Sequence, residues 1–185
     1  MDNTPTLNDQ LRLNAAPAEL HSWISDDGSL TERLIEASKG AFEVRVLRER
    51  WQLVDDVSER ELLALKSDET ALVREVALCC FGEPWVYARS ILPASTLVGP
   101  EKELESLRNK PLGALLFSHP NMRRGPIHLA TLDSEKVAER VDVEMTGPQQ
   151  ETIWGRSSLF YLSDKPLLVS EYFLPALYSY WKHNR

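Results

Sequence analysis

Three charged residues stand where strand alternation would place apolar side chains. In Ala71-Leu72-Val73-Arg74-Glu75-Val76-Ala77-Leu78, a period of two puts Arg74 on the face of Leu72, Val76 and Leu78. In Trp85-Val86-Tyr87-Ala88-Arg89-Ser90-Ile91, Arg89 shares a face with Trp85, Tyr87 and Ile91. In Leu167-Leu168-Val169-Ser170-Glu171-Tyr172-Phe173, Glu171 shares a face with Leu167, Val169 and Phe173. A charge facing a core is costly unless it is paired or solvated in a cavity. Three readings stay open at this level: an internal ion pair of Glu171 with either arginine, a solvent-exposed face, or a pocket for an anion. Two guanidinium groups against one carboxylate leave a positive excess that suits an anionic ligand, but the count does not name it.

A further candidate is Leu112-Gly113, which follows Pro111 at an expected helix start. Amides there lack intrahelical partners and can hold a carboxylate, although capping by water or side chains is the commoner outcome. Other chemistries find little support. His21, His119, His128 and His183 have no metal-ligand spacing with each other or with the cysteines, so no metal is expected. Ser158 and Ser170 lie in no nucleophile-elbow sequence, and the scattered glycines build no phosphate-cradling loop. Trp85 and Trp154, at strand starts, read as core.

The elements that must position these residues follow from periodicity. Residues 17–39 read as two helical pieces interrupted by Ser25-Asp26-Asp27-Gly28-Ser29, with Ser29 and Glu32 at capping-box spacing. After Gly40, Phe42, Val44 and Val46 alternate with charged residues as a strand. Residues 56–66 read as a loop with a short helix. Strands over 71–81 and 85–92, joined by Gly82-Glu83-Pro84, form a hairpin. Short helices follow at 101–108, opened by Gly99-Pro100, and from Leu112 to Phe117. Strands near 126–133, 154–162 and 167–174 complete the count, and 134–152 reads as a polar excursion or flap. The pattern predicts an α+β fold with a single antiparallel β-sheet of about six strands.

A chain of 185 residues fits one domain, 1–185, with 1–16 as an extended arm. A net charge of −7 argues against a broad nucleic-acid surface, and an anionic ligand must be drawn by a few local arginines or amides. No apolar run is long enough for an integral membrane segment, and Met1-Asp2-Asn3-Thr4-Pro5 shows no secretory pattern. Cys79 and Cys80 are adjacent, which favours two reduced thiols and a cytoplasmic location.

The run from Arg74-Glu75 through Leu78-Cys79 into FGEPWVYARSILPASTLVGPE, Phe81 to Glu101, resembles the central signature of bacterial chorismate pyruvate-lyases. Leu30-Thr31, Lys110-Pro111-Leu112-Gly113, Trp154-Gly155-Arg156-Ser157, and Lys165-Pro166-Leu167-Leu168 running into Glu171-Tyr172-Phe173-Leu174-Pro175-Ala176 resemble further family segments in the same order. The resemblance spans roughly 20–178. It implies conversion of chorismate to 4-hydroxybenzoate and pyruvate, the first committed step towards ubiquinone, by a monomer that needs neither metal nor organic cofactor. It also implies helical flaps closing over a buried site. Arg74 matches the arginine that binds the ring carboxylate, Leu112 offers that carboxylate a backbone amide, and Glu171 contacts the ring hydroxyl. Arg89 matches an arginine of the same interior. Leu30, also a substrate-binding position, stands where methionine is expected, and 134–152 is longer than the family pattern. The competing reading is a small-acid sensor, since effector domains of some bacterial repressors resemble this fold. Residues 1–40 are expected to be too short and acidic for the winged helix that precedes such domains. A purely structural role leaves the inward charges unexplained.

Overall fold

The described residues are organised by one sheet, built largely from strands that follow one another directly, with helices packed on both of its faces. The computed structural model describes residues 13–141 and 152–183. Two short helices, α1 (Ala18–Ile24) and α2 (Leu30–Ala37), precede β1 (Phe42–Leu53), and α3 (Val57–Leu62) leads into β2 (Thr70–Cys80). The β2–β3 hairpin (β3, Glu83–Pro93) turns on Phe81 and Gly82, whose φ angles of 55° and 79° build a tight left-handed turn. The turn therefore lies one residue earlier than expected, and Pro84 sits inside β3 opposite Cys79. A 3-10 helix (Gly99–Ser106), α4 (Leu112–Ser118), β4 (Met122–Arg124), β5 (His128–Asp133), α5 (Ser134–Val141), β6 (Thr152–Leu162), β7 (Lys165–Phe173) and α6 (Pro175–His183) follow.

All recorded strand pairs are antiparallel, in the order β1-β2-β3-β7-β6-β4, with β5 also on β6. Both β4 and β5 pair with β6, at 160–162 and 152–157 respectively, so seven strands fill six positions. Pro126 lacks an N–H and interrupts that last position, while the Gly125 amide still donates to Leu159 O at 2.8 Å.

Helices cover both faces. On the front face, α1, α2 and α6 pack Leu20, Trp23, Leu34 and Leu177 against Val76, Leu78 and Phe173. Beside them the 3-10 helix and α4 bring Leu104, Leu112 and Leu116 to Leu92, Phe160 and Leu167. On the back face, Val137 and Val141 of α5 cover Ala77, Tyr87 and Ile153. Ten consecutive residues of β2, from Ala71 to Cys80, are buried. Both faces of this strand are interior, which simple alternation did not anticipate.

Three expectations need correction. Residues 134–141 are an amphipathic helix, not an irregular excursion, because Val137 and Val141 stand four apart and share a face; 142–151 lie outside the described residues. Leu13 and Ala16, at the end of the expected arm, pack on the core, while 1–12 lie outside the described residues. Helix α6 was not expected at all. Pro175 reads as a stop, yet it occupies a first helical turn, where its missing N–H costs nothing. No helix among the described residues is long and apolar enough to cross a membrane. Cys79 and Cys80 are free and buried, and burial pushes the Cys80 thiol up to about 11.

Candidate active site

A cavity lies between the front face of the sheet and the starts of α2 and α4. Its sheet wall includes Arg74, Val76, Ala88, Ser90, Val169 and Glu171, and its helical wall includes Leu30, Thr31, Leu112 and Gly113. Strand register accounts for the gathering: Arg74 faces Ser90, Ser90 faces Val169, Ala88 faces Glu171, and Glu171 faces Arg156. Of the five positions expected in the site, Arg74, Glu171, Leu112 and Leu30 line this cavity.

Arg74 is 2% exposed. Its Nη2 donates to the carbonyl oxygens of Arg108 and Lys110 at 2.6 and 3.1 Å, and its Nε lies 3.1 Å from Glu49 Oε2. Burial lowers the Arg74 pKa, with the Glu49 carboxylate pulling the other way, and a guanidinium stays charged regardless. Among the described residues, Nη1 has no hydrogen-bond partner. The cation is thus clamped from one side, with donors left for a ligand.

Opposite it, two helix starts meet. Ser29 caps α2, accepting from the Glu32 amide at 3.3 Å, and Leu30 is the first helical residue. Pro111 precedes α4 and supplies no side-chain cap, so the amides of the first turn, Leu112 and Gly113, keep their donors. Gly113 is closely approached: a Cβ there would stand 2.9 Å from Thr31 Oγ1, so that side chain would have to shift.

Among the described residues, Glu171 is the only carboxylate in the cavity wall. Its Oε2 accepts from Arg156 Nε at 2.7 Å, and its Oε1 has no hydrogen-bond partner among the described residues. Arg156, 2% exposed, also donates through Nη1 to the carbonyl oxygens of Trp23, at 2.9 Å, and Asp26. Arg124 joins the wall from β4, donating to Ser158 Oγ at 3.2 Å and to Asp27 O at 3.1 Å, with its guanidinium 5.0 Å from the Phe160 ring centroid. The ion pair that the sequence suggested for Glu171 exists, but its partner is neither Arg74 nor Arg89.

Arg89 is the expected site residue that the structure removes from the cavity. Register places it opposite Glu75 and Ser170, on the back face. There it pairs with Glu59 and lies 3.8 Å from Glu75. Glu75 also accepts from Tyr87 Oη at 2.7 Å and from Arg140. Alternation showed that Arg89 and Arg74 each face inward, but odd and even positions of neighbouring strands face opposite layers. Burial and the adjacent Glu75 carboxylate drive the Tyr87 hydroxyl far above the usual phenol range.

Arg156 and Arg124 are the wall residues that sequence reasoning missed. Arg156 carries the same signal as Arg74: period two puts it with Trp154, Ser158 and Phe160. Arg124 carries none, because a three-residue strand is too short to establish alternation.

A sequence model of the family described as chorismate lyase matches residues 3–183. A protein of Methylococcus capsulatus named "Probable chorismate pyruvate-lyase" is 41% identical over 162 residues, covering 86% of this chain and 97% of that protein. The "Chorismate pyruvate-lyase" of Salmonella arizonae is 35% identical, covering 88% of each. Among solved structures, the effector domain of PhnF from Mycobacterium smegmatis superposes with a TM-score of 0.56 at 16% identity, over 80% of this chain and 90% of that one. The ligand-binding domain of a putative GntR-family regulator from Bordetella bronchiseptica gives 0.52 at 22% identity, over 72% and 83%. At such identities the likeness is one of fold.

Proposed function

This chain belongs to the chorismate lyase family, and from that membership we propose how its cavity handles the reaction. The protein is a lyase that converts chorismate to 4-hydroxybenzoate and pyruvate. Chorismate is a dianionic cyclohexadiene with a ring carboxylate, a hydroxyl para to it, and an enolpyruvyl ether on the carbon beside the hydroxyl. The C–H bond at the hydroxyl-bearing carbon and the neighbouring C–O bond break, and a new ring double bond forms. The ether oxygen leaves with the electron pair, and the proton ends on the side-chain methylene as pyruvate. The ring becomes aromatic, no electrons are exchanged with an outside acceptor, and the reaction runs downhill. The protein need mainly orient the substrate and exclude water.

Arg74 Nη1 and the Leu112 amide hold the ring carboxylate, Glu171 Oε1 takes the ring hydroxyl, and Leu30 covers the ring. The observation that carries this reading is the pattern of unused hydrogen-bonding groups. A buried guanidinium with a spare N–H and a half-buried carboxylate with a spare oxygen share one largely apolar wall. Arg156 holds Glu171 in place from behind. The chain acts as a cytoplasmic monomer without a metal or organic cofactor, at the entry to ubiquinone synthesis.

The test mixes purified protein with chorismate and chelator and follows 4-hydroxybenzoate by absorbance. Product formation at a rate proportional to protein supports the reading. Tight binding of 4-hydroxybenzoate with no turnover would instead mark a sensor, a role open to the effector-domain fold.

A further inference from the structure

The ring carboxylate and the hydroxyl account for Arg74 and Glu171, but they leave Arg124, and the Nη2 group of Arg156 beyond its hold on Glu171, without a task. We propose that Arg124 and Arg156 form the seat for the second carboxylate of the substrate, the one on the enolpyruvyl side chain. The assignment rests on the lyase reading above and deepens it.

Three observations carry it. First, the cavity wall holds three guanidinium groups, Arg74, Arg124 and Arg156, against the single carboxylate of Glu171. Glu49 meets Arg74 from outside the wall and Glu171 meets Arg156, so Arg124 is the guanidinium of the wall without an ion-pair partner among the described residues, and the one carboxylate of 4-hydroxybenzoate, held at Arg74, supplies none. Second, donors remain. Arg124 uses Nε on Ser158 and Nη1 on Asp27 O, and Arg156 uses Nε on Glu171 and Nη1 on two carbonyl oxygens. The Nη2 group of each has no hydrogen-bond partner among the described residues. The nearby Asp26 carboxylate is engaged by Arg33 at 2.9 Å and by the Gly28 amide at 2.8 Å. Burial, and next the Arg156 charge beside it, lower the pKa of Arg124, as two like charges sharing a wall must. Third, the position is right. Arg156 touches the carboxylate assigned to the ring hydroxyl, and the ether stands on the adjacent ring carbon.

Two guanidinium groups there do more than bind. Negative charge gathers on the ether oxygen as its bond to the ring breaks, and fixed cations beside it favour that state over the resting substrate. The product ring lacks the side chain, so it gains nothing from the pair.

That difference supplies the test. Steady-state turnover of chorismate and equilibrium binding of 4-hydroxybenzoate are measured on wild type, Arg124→Gln and Arg124→Lys, with thermal melting to confirm folding. In Arg124→Gln, kcat/KM should fall about 10- to 100-fold while the Kd for 4-hydroxybenzoate stays within about 2-fold. Arg124→Lys keeps the charge but loses the fork, and should fall by about 3- to 10-fold with the same split. Equal losses in turnover and product binding would assign Arg124 to the ring site or to structure, and unchanged turnover would remove it from substrate contact. Either result overturns the proposal alone. A wild-type protein that makes no 4-hydroxybenzoate overturns the lyase reading, and this assignment with it.

Discussion

The two faces of the central sheet carry similar charges and use them differently. On the back, Glu75 is shared by Tyr87, Arg140, Arg89 and Arg48, and Arg89 is closed off by Glu59. On the front, Arg74 and Arg156 line the cavity, each tied to main-chain oxygens and to one carboxylate, and each keeps an Nη group without a hydrogen-bond partner among the described residues. A buried charge that is fully partnered is a structural solution, costly to assemble and costly to disturb. One that is held but not fully partnered is prepared for a ligand. Burial does not separate the two cases, since Arg74 and Glu75 are 2% and 4% exposed. The number of partners does: Glu75 meets four side chains, whereas Glu171 meets one among the described residues.

Substitutions can break or sharpen this contrast, and the largest effect should come from Arg74. Arg74→Ala should lower kcat/KM by about 100-fold or more and weaken 4-hydroxybenzoate binding similarly, because a buried charge-assisted contact is lost in substrate and product alike. Arg89→Ala should leave both within about 3-fold and cost roughly 2 kcal/mol of stability in urea unfolding, by stripping Glu59 of its partner. A catalytically dead but fully stable Arg89→Ala would erase the distinction between the faces. Next, Glu171→Gln should slow turnover about 100-fold with a smaller change in KM, since the amide still meets the ring hydroxyl but takes up no proton. Glu75→Gln should instead cost roughly 1–3 kcal/mol of stability with near-normal kinetics, readable as a lower urea midpoint at unchanged slope.

The smallest effect is one of pH. Burial pushes the Asp26 carboxyl up, but the Gly28 amide and Arg33 outweigh it, so its pKa lies below the usual 3.8. A depressed carboxyl stabilises the fold above its unfolded value, and that contribution is lost as pH falls through the folded one. Asp26 is partly exposed, so solvent screening holds the term to about 0.5 kcal/mol. Asp26→Asn should remove it at pH 7 and leave stability below pH 3 unaffected, as judged by urea midpoints at the two pH values.

The sequence made one half of this contrast legible. Arg74 and Glu171 could be picked out because each sits in a long strand where parity is unambiguous, and both reach the cavity. Arg89 gave the same signal and went to the other layer, because parity within one strand does not say which layer a residue meets. That is decided by register, and register depends on turns and bulges, such as the shift between Leu78 and Cys79. Arg156 carries the same period-two signal, within the segment Trp154-Gly155-Arg156-Ser157 that also carries the family resemblance. Arg124 was out of reach, since its position depends on Gly125 and Pro126 breaking an edge strand. The fold class and the two helices over 17–39 were readable from periodicity and capping, whereas α5 and α6 were hidden by a charged exterior and a leading proline.

The Phe81–Gly82 turn has a reach beyond its own size. Arg74 lies seven residues back along β2, roughly 23 Å of extended chain. Sliding β2 by a single step against its neighbours would exchange its two layers, offering the acid of Glu75 to the incoming dianion and burying Arg74 beneath α5. The polarity of the substrate chamber therefore rests on that turn together with the register shift between Leu78 and Cys79, which lies between the turn and Arg74.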